Sequence, residues 1–200
     1  MPIHLVVDST GVKILGDGEW HAHKHKTANK RRRWRKLHLG VDEHGFIVAW
    51  DLTGARVDDG LVGVSMLEEF DVAIERFTAD GAYDTRPIYS AVARAGTPDV
   101  TVVVPPSRRA ALDPGAISPW DQRNDAIERI VEVGRRQWRK ESGAHRQARA
   151  ENAMFRYKRI IGDGLRARSF EAQKREVMVA VRVLNRMTLL GRPIPVAIRT

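Results

Sequence analysis

Short runs rich in β-branched residues are spread through the first hundred positions and give way to helical patterns afterwards. This division limits the possible folds more than any other feature. "IHLVV" at 3–7, stopped by "DSTG", predicts a buried strand ending just before Asp8. "RKLHLGVDEHGFIVAWDLTG" at 35–54 holds two strand-like stretches about the turn "DEHG", a hairpin pattern. "RFTAD" at 76–80 and "DVTVVVPP" at 99–106 predict two more strands, one ending at Asp80 and the other at a pair of prolines. Residues 58–69 predict a short helix with Val62, Met66 and Leu67 or Phe70 facing inward. Residues 85–96 predict another, with Thr85 as N-cap, Pro87 in the first turn and Gly96 as terminator. Residues 11–34 are polar, very basic and aperiodic, which predicts a loop with at most a short hairpin.

After a Pro-, Gly- and Ala-rich loop at 107–120, "QRNDAIERIVEVGRRQWRK" predicts a helix through about residue 134. "RQARAENAMFRYKRIIG" at 146–162 predicts a basic helix. "EAQKREVMVAVRVLNRMTLLG" predicts a long amphipathic one, with Val177, Val181, Leu184 and Thr188 along one face and Gly191 and Pro193 closing it. Strand, hairpin, helix, strand, helix, strand and then helices is the order of an α/β fold. The expectation is a mixed five-stranded sheet covered by helices on both faces. Two hundred residues suit a single domain over 1–200, with roughly 105–140 as a small insertion or loop–helix segment.

A net charge of +9, from 34 Lys and Arg against 25 acids, points to a polyanionic partner, most often nucleic acid. The absence of cysteine excludes disulfides and thiolate metal sites. No apolar run is long enough to span a bilayer and the N-terminus lacks a signal-peptide pattern, so a cytoplasmic protein without a membrane partner is expected.

Topology brings the acids together. If the fourth strand returns parallel to the first and beside it, Asp8 and Asp80 lie at the same end of neighbouring strands, about 5 Å apart at the backbone. Two such carboxylates repel unless a proton or a cation lies between them, and hard divalent ions favour oxygen ligands. Glu151, the one acid among Arg146, Arg149, Arg156, Lys158 and Arg159, would be a third ligand if its helix crossed that edge. Two ions held in this way activate an attacking oxygen and stabilise the leaving one. Lys158, about two turns beyond Glu151 on nearly the same face, would meet the same DNA backbone.

Simpler readings stand beside these. An aspartate at a strand end is usually a turn former, and Asp42 and Asp51 also follow apolar runs, although topology sets both away from Asp8. Asp84 competes with Asp80 but reads as a local cap before Thr85. Glu151 alone would fit a helix-surface salt bridge to Arg149 or Arg156. In "HAHKHKTANKRRRWRK" at 21–36, His21, His23 and His25 alternate in a pattern that suits zinc, but further ligands at metal spacing are lacking. Lys30, Arg31, Arg32, Arg33 and Arg35 therefore read as a solvated loop contacting phosphate. Trp34 and Trp138 fit either core packing or base stacking, and Arg166 and Arg168 either DNA contact or plain solvation.

"VVDSTGVK" (6–13), "ADGAYDT" (79–85) and "ENAMFRYKRIIGDGLRARSFE" (151–171) resemble the three catalytic blocks of DDE transposases of bacterial insertion sequences. The likeness is to the branch of insertion-sequence families four and five, and "RWRKLHLGVDEHG" and "VLNRMTLLG" extend it over nearly the whole chain. It implies a ribonuclease H-like fold, Mg²⁺ (or Mn²⁺) in two sites, and DNA strand cleavage and transfer. Asp8, Asp80 and Glu151 match the three acids of the signature and Lys158 its lysine. The implied partners are double-stranded DNA, as element ends and as target, and a second copy of the chain in a homodimer. Where the family pattern often has a tyrosine and an arginine before the glutamate, this chain has Ala144 and Gln147. The DNA-binding region that usually precedes the first strand is expected to be absent. Two other readings are kept open: a nuclease of the same fold without strand transfer, and a DNA-binding remnant without chemistry.

Overall fold

A computed structural model describes residues 1–15 and 33–191. The chain runs β1 (Ile3–Ile14), β2 (Trp34–Val41), β3 (Ile47–Gly54), α1 (Asp59–Glu68), β4 (Ile74–Thr78) and a 3₁₀ turn (Gly81–Tyr83). It continues with α2 (Arg86–Ala95), β5 (Gly96–Val103), α3 (Asp121–Glu141), a second 3₁₀ turn (Ala144–Gln147) and α4 (Ala148–Arg156). A π-helical turn (Tyr157–Ile161), β6 (Gly164–Leu165) and α5 (Phe170–Leu190) complete it. The sheet order is β3-β2-β1-β4-β5, with the two-residue β6 also paired to β1. β1, β2 and β3 are antiparallel in series, while β4, β5 and β6 join in parallel. The expected mixed α/β sheet is present, with β6 added to its five strands.

Alternation along β1 divides the core. Val6 and Val12 face one side, where Leu37, Leu39 and Leu52 meet Ala150, Met154 and Tyr157 and the α5 residues Val177, Val181 and Leu184. Leu5 and Val7 face the other, where Phe77 and Val102 pack against Leu67 of α1 and Ile88, Tyr89 and Val92 of α2. Each fully buried aliphatic or aromatic side chain of this kind contributes roughly 1.5–3 kcal/mol. The inward faces expected for α1 and α5 are the buried ones, with Thr188 at the margin. Among the described residues, no helix is long and apolar enough to cross a membrane.

Three local expectations are corrected. β1 does not stop at "DSTG" but runs to Ile14, because β2 keeps pairing with it as far as Lys13↔Trp34. Asp8 is therefore a mid-strand residue, and residues 11–14 are strand rather than loop. α3 does not end near residue 134: Gly134 takes a positive φ of 79°, breaks the helix, and the chain resumes helical geometry to Glu141. That conformation suits glycine, which has no Cβ to clash. Trp138, on the resumed segment, is buried against Val103 and Ala144, the packing role of its two readings.

Candidate active site at the open edge of β1

The backbone of β1 explains why a site forms there. Ile3 N–H donates to Ala73 O (3.0 Å) and Lys13 N–H to Asp163 O (2.8 Å), so the odd-numbered peptide groups face the β4 and β6 edge. The β4 ladder ends at Val6↔Thr78, and β6 begins only at Lys13↔Gly164. Between them, among the described residues, β1 has no strand neighbour on that edge, and its polar groups need other partners. Ser9 N–H donates to Asp8 Oδ1 (2.8 Å), so the carboxylate folds over the edge of its own strand. Val7 O accepts from Gln147 Nε2 (3.0 Å), which reaches in from the turn before α4.

Asp80 lies two residues beyond Thr78, the last register partner of β1 on that strand, and its charge reaches Asp8. It begins the 3₁₀ turn, and its Oδ1 accepts from Ala82 N–H (2.9 Å). Glu151 is on α4, whose Ala150, Ala153 and Met154 face the core, and it is exposed at the border of that apolar stripe. It makes no ion pair or hydrogen bond among the described residues. The two arginines that could have neutralised it are engaged elsewhere: Arg149 approaches His4 Nδ1 (3.4 Å), and Arg156 donates to Leu184 O (3.1 Å).

Asp8 feels this arrangement. Burial pushes its carboxyl up to about 6, against the hydrogen bond from Ser9, and the negative charges of Asp80, Glu151 and Asp59 push the same way. Asp80 and Glu151 therefore both act on Asp8. Among the described residues, no three acids or histidines stand close enough to grip one ion as their side chains are placed. Asp80 and Glu151 are exposed, and Asp8 is half-buried. The donor chemistry, carboxylate oxygens alone, is that of a hard divalent cation rather than of zinc.

Sequence reasoning missed two neighbours. Asp59, the first residue of α1, holds Lys36 Nζ at 3.1 Å and lies 3.5 Å from Nδ1 of the buried His38. Tyr83 is buried, and its hydroxyl has no hydrogen-bond partner among the described residues. Burial, then Asp59, Asp8 and Asp80, strongly raise the pH at which that hydroxyl would ionise. Asp59 follows the helix cap Asp58, and Tyr83 lies three residues after Asp80. Those spacings were the available signals.

The competing aspartates separate cleanly. Asp42 accepts from His44 and Phe46 N–H in the hairpin turn, and Asp51 pairs with Lys174 (3.2 Å). Asp84 is not the local cap expected from sequence. Its carboxylate binds Arg123 Nε at 2.9 and 3.1 Å, a long-range pair with both side chains largely buried, and Thr85 makes no side-chain cap bond.

The basic residues divide in the same way. Arg146 and Lys158 are exposed, as is Arg33 at the start of β2. Arg35 is taken up by packing, with Nε on Gln173 Oε1 (2.9 Å) and its guanidinium 4.8 Å from the Phe170 ring. Burial, followed by the charges of Arg149, Arg146 and Arg76, lowers His4 to about 4, which shows a positive field at this end of the sheet. Lys30, Arg31 and Arg32, together with His21, His23 and His25, lie outside the described residues.

Residues 1–186 match the family model described as a transposase DDE domain. No solved structure matches the chain. The matched segment spans every strand, α1 to α4 and most of α5, and so takes in Asp8, Asp80 and Glu151. On this match over almost its whole length, joined to an α/β mixed sheet of the ribonuclease H-like kind, the chain belongs to the family of transposase DDE domains.

Proposed function

We propose that this chain cuts DNA at the ends of a mobile element and joins the freed 3′-hydroxyl to target DNA, with Asp8, Asp80 and Glu151 as its metal-holding carboxylates. Family membership carries the general activity, transposition-type action on DNA with a metal ion. The observation that supports the finer reading is the field that Asp80 and Glu151, from distant parts of the chain, exert on the Asp8 carboxyl. Asp8 is held at a raised proton affinity, and among the described residues Glu151 has no cationic partner although arginines surround it. Charges arranged in this way are unfavourable on their own and become favourable when a cation neutralises them.

Mg²⁺ or Mn²⁺ in two sites would supply Lewis acidity to the phosphodiester and lower the proton affinity of the attacking oxygen. The chain's own part is placement. The bond from Ser9 holds the Asp8 carboxylate on the edge of its strand, and the bond from Ala82 N–H holds that of Asp80 at the start of the 3₁₀ turn. Arg146 and Lys158 on the Glu151 segment, with Arg33 and the basic residues Lys30, Arg31 and Arg32, would bind phosphates on either side of the scissile bond, and Arg149 and Arg156 would add the guanidinium donors not used on His4 and Leu184 O. Arg35 is better assigned to packing.

The test uses the full chain with DNA carrying the sequences that flank its gene, with Mn²⁺ and Mg²⁺, and scores nicked and joined products separately. The unmutated chain should give both products. Asp8→Asn, Asp80→Asn and Glu151→Gln should each abolish them while DNA affinity at fixed salt is kept. Cleavage surviving in any of the three variants refutes the assignment, and nicking without joining reduces the function to that of a nuclease.

A further inference from the structure

We propose that Gln147 is a positioning residue that sets Glu151 against Asp8, an inference that rests on the site reading above. Val7 O faces the edge where β4 has left the sheet, and Gln147 Nε2 takes the place of the missing strand at 3.0 Å. Val7 is the residue before Asp8. Gln147 is the N-cap residue of α4, four positions and about one turn ahead of Glu151, so amide and carboxylate share a helix face. One buried hydrogen bond thus ties the strand carrying the first acid to the helical turn carrying the third. Arg149 approaching His4 at 3.4 Å is a longer and less directed link between the same segments.

The second atom of the amide strengthens the case. Gln147 Oε1 is buried and has no partner among the described residues. An unpaired interior carbonyl is destabilising, and a leucine or methionine would fill the same space without it. A glutamine kept under these conditions is explained by what Nε2 does. A glutamate would not serve here, because it would set an acceptor against Val7 O and add another negative charge beside Asp8.

The test measures Mn²⁺ binding to the full chain without DNA, by electron paramagnetic resonance of free Mn²⁺, so that it does not depend on catalysis. Gln147→Leu removes the donor, Gln147→Asn keeps the chemistry but falls one methylene short, and Gln147→Arg restores a donor of sufficient reach. The Leu and Asn variants should bind Mn²⁺ roughly 10- to 100-fold more weakly, the range seen when outer contacts that orient ligands are lost. Their circular dichroism should be unchanged, and the Arg variant should recover most of the affinity. If the Leu variant does not fold, the Asn and Arg variants decide. Wild-type affinity in the Asn variant, or loss in the Arg variant as deep as in Asn, overturns the inference. Asp80→Asn and Glu151→Gln are measured alongside. If neither weakens Mn²⁺ binding, the site reading itself has failed. If both do while the Gln147 variants do not, only the role of Gln147 is lost.

Discussion

Replacing Asp8 with asparagine should make the protein more stable while removing its activity, and the gain should depend on pH. Burial, with the charges of Asp80, Glu151 and Asp59, raises the Asp8 carboxyl from 3.8 to about 6 in the folded chain. Its folded proton affinity therefore exceeds the unfolded one. The penalty is absent below about pH 3.8, grows as pH rises to about 6, and is complete above that. At ~1.36 kcal/mol per tenfold change in proton affinity the rise corresponds to about 3 kcal/mol. Solvent reaching this half-buried group reduces it to about 1.5 kcal/mol. The asparagine keeps an oxygen to accept from Ser9 N–H, so the backbone bond survives the change. For a chain of this size, Asp8→Asn should raise Tm by about 3–6 °C at pH 8 and leave it almost unchanged at pH 4. Thermal melts followed by circular dichroism across that range give the comparison. Saturating Mg²⁺ should raise the wild-type Tm and leave the variant unmoved, because a ligand stabilises only the state that binds it. A variant less stable at pH 8, or a gain of equal size at both pH values, would refute the electrostatic account.

Two further substitutions test the frame around the site. Asp84→Ala strands the buried guanidinium of Arg123 and should cost about 3–5 kcal/mol in urea unfolding, since breaking one side of such a pair leaves an uncompensated charge. A cost below about 1 kcal/mol would show that water reaches the pair. Gly63→Ala would bring a methyl to 2.8 Å from Ile88 Cδ1 and 2.9 Å from Tyr83 Cε1, between α1 and the turn after Asp80. The overpacking should destabilise by about 1–3 kcal/mol and displace Tyr83, read as a Tm drop together with altered tyrosine fluorescence.

Much of the architecture was legible because it depends on local pattern. The "DEHG" turn gave the hairpin, the aliphatic spacing at 177, 181 and 184 gave the buried face of α5, and the order of elements placed β4 parallel beside β1. The extent of β1 was not legible. "DSTG" is turn-like in isolation, and it is held extended by β2, which lies some thirty positions away. Asp84 illustrates the same limit. Its position before Thr85 indicates a cap, and only the tertiary fold brings Arg123 to it. For the site, strand topology made Asp8 and Asp80 candidates and set Asp42 and Asp51 aside, but the family resemblance was needed to single them out. Glu151 needed the family resemblance, and the amide of Gln147 needed coordinates, since nothing in the sequence shows which backbone carbonyl is left open.

β1 takes its partners from residues 34–41, 74–78 and 164–165. During synthesis this strand waits, with one edge partly bare, until residues 164–165 have been made. Chains broken off earlier by a premature stop would present that edge to any extended segment nearby, and they would be prone to clump rather than persist as soluble fragments.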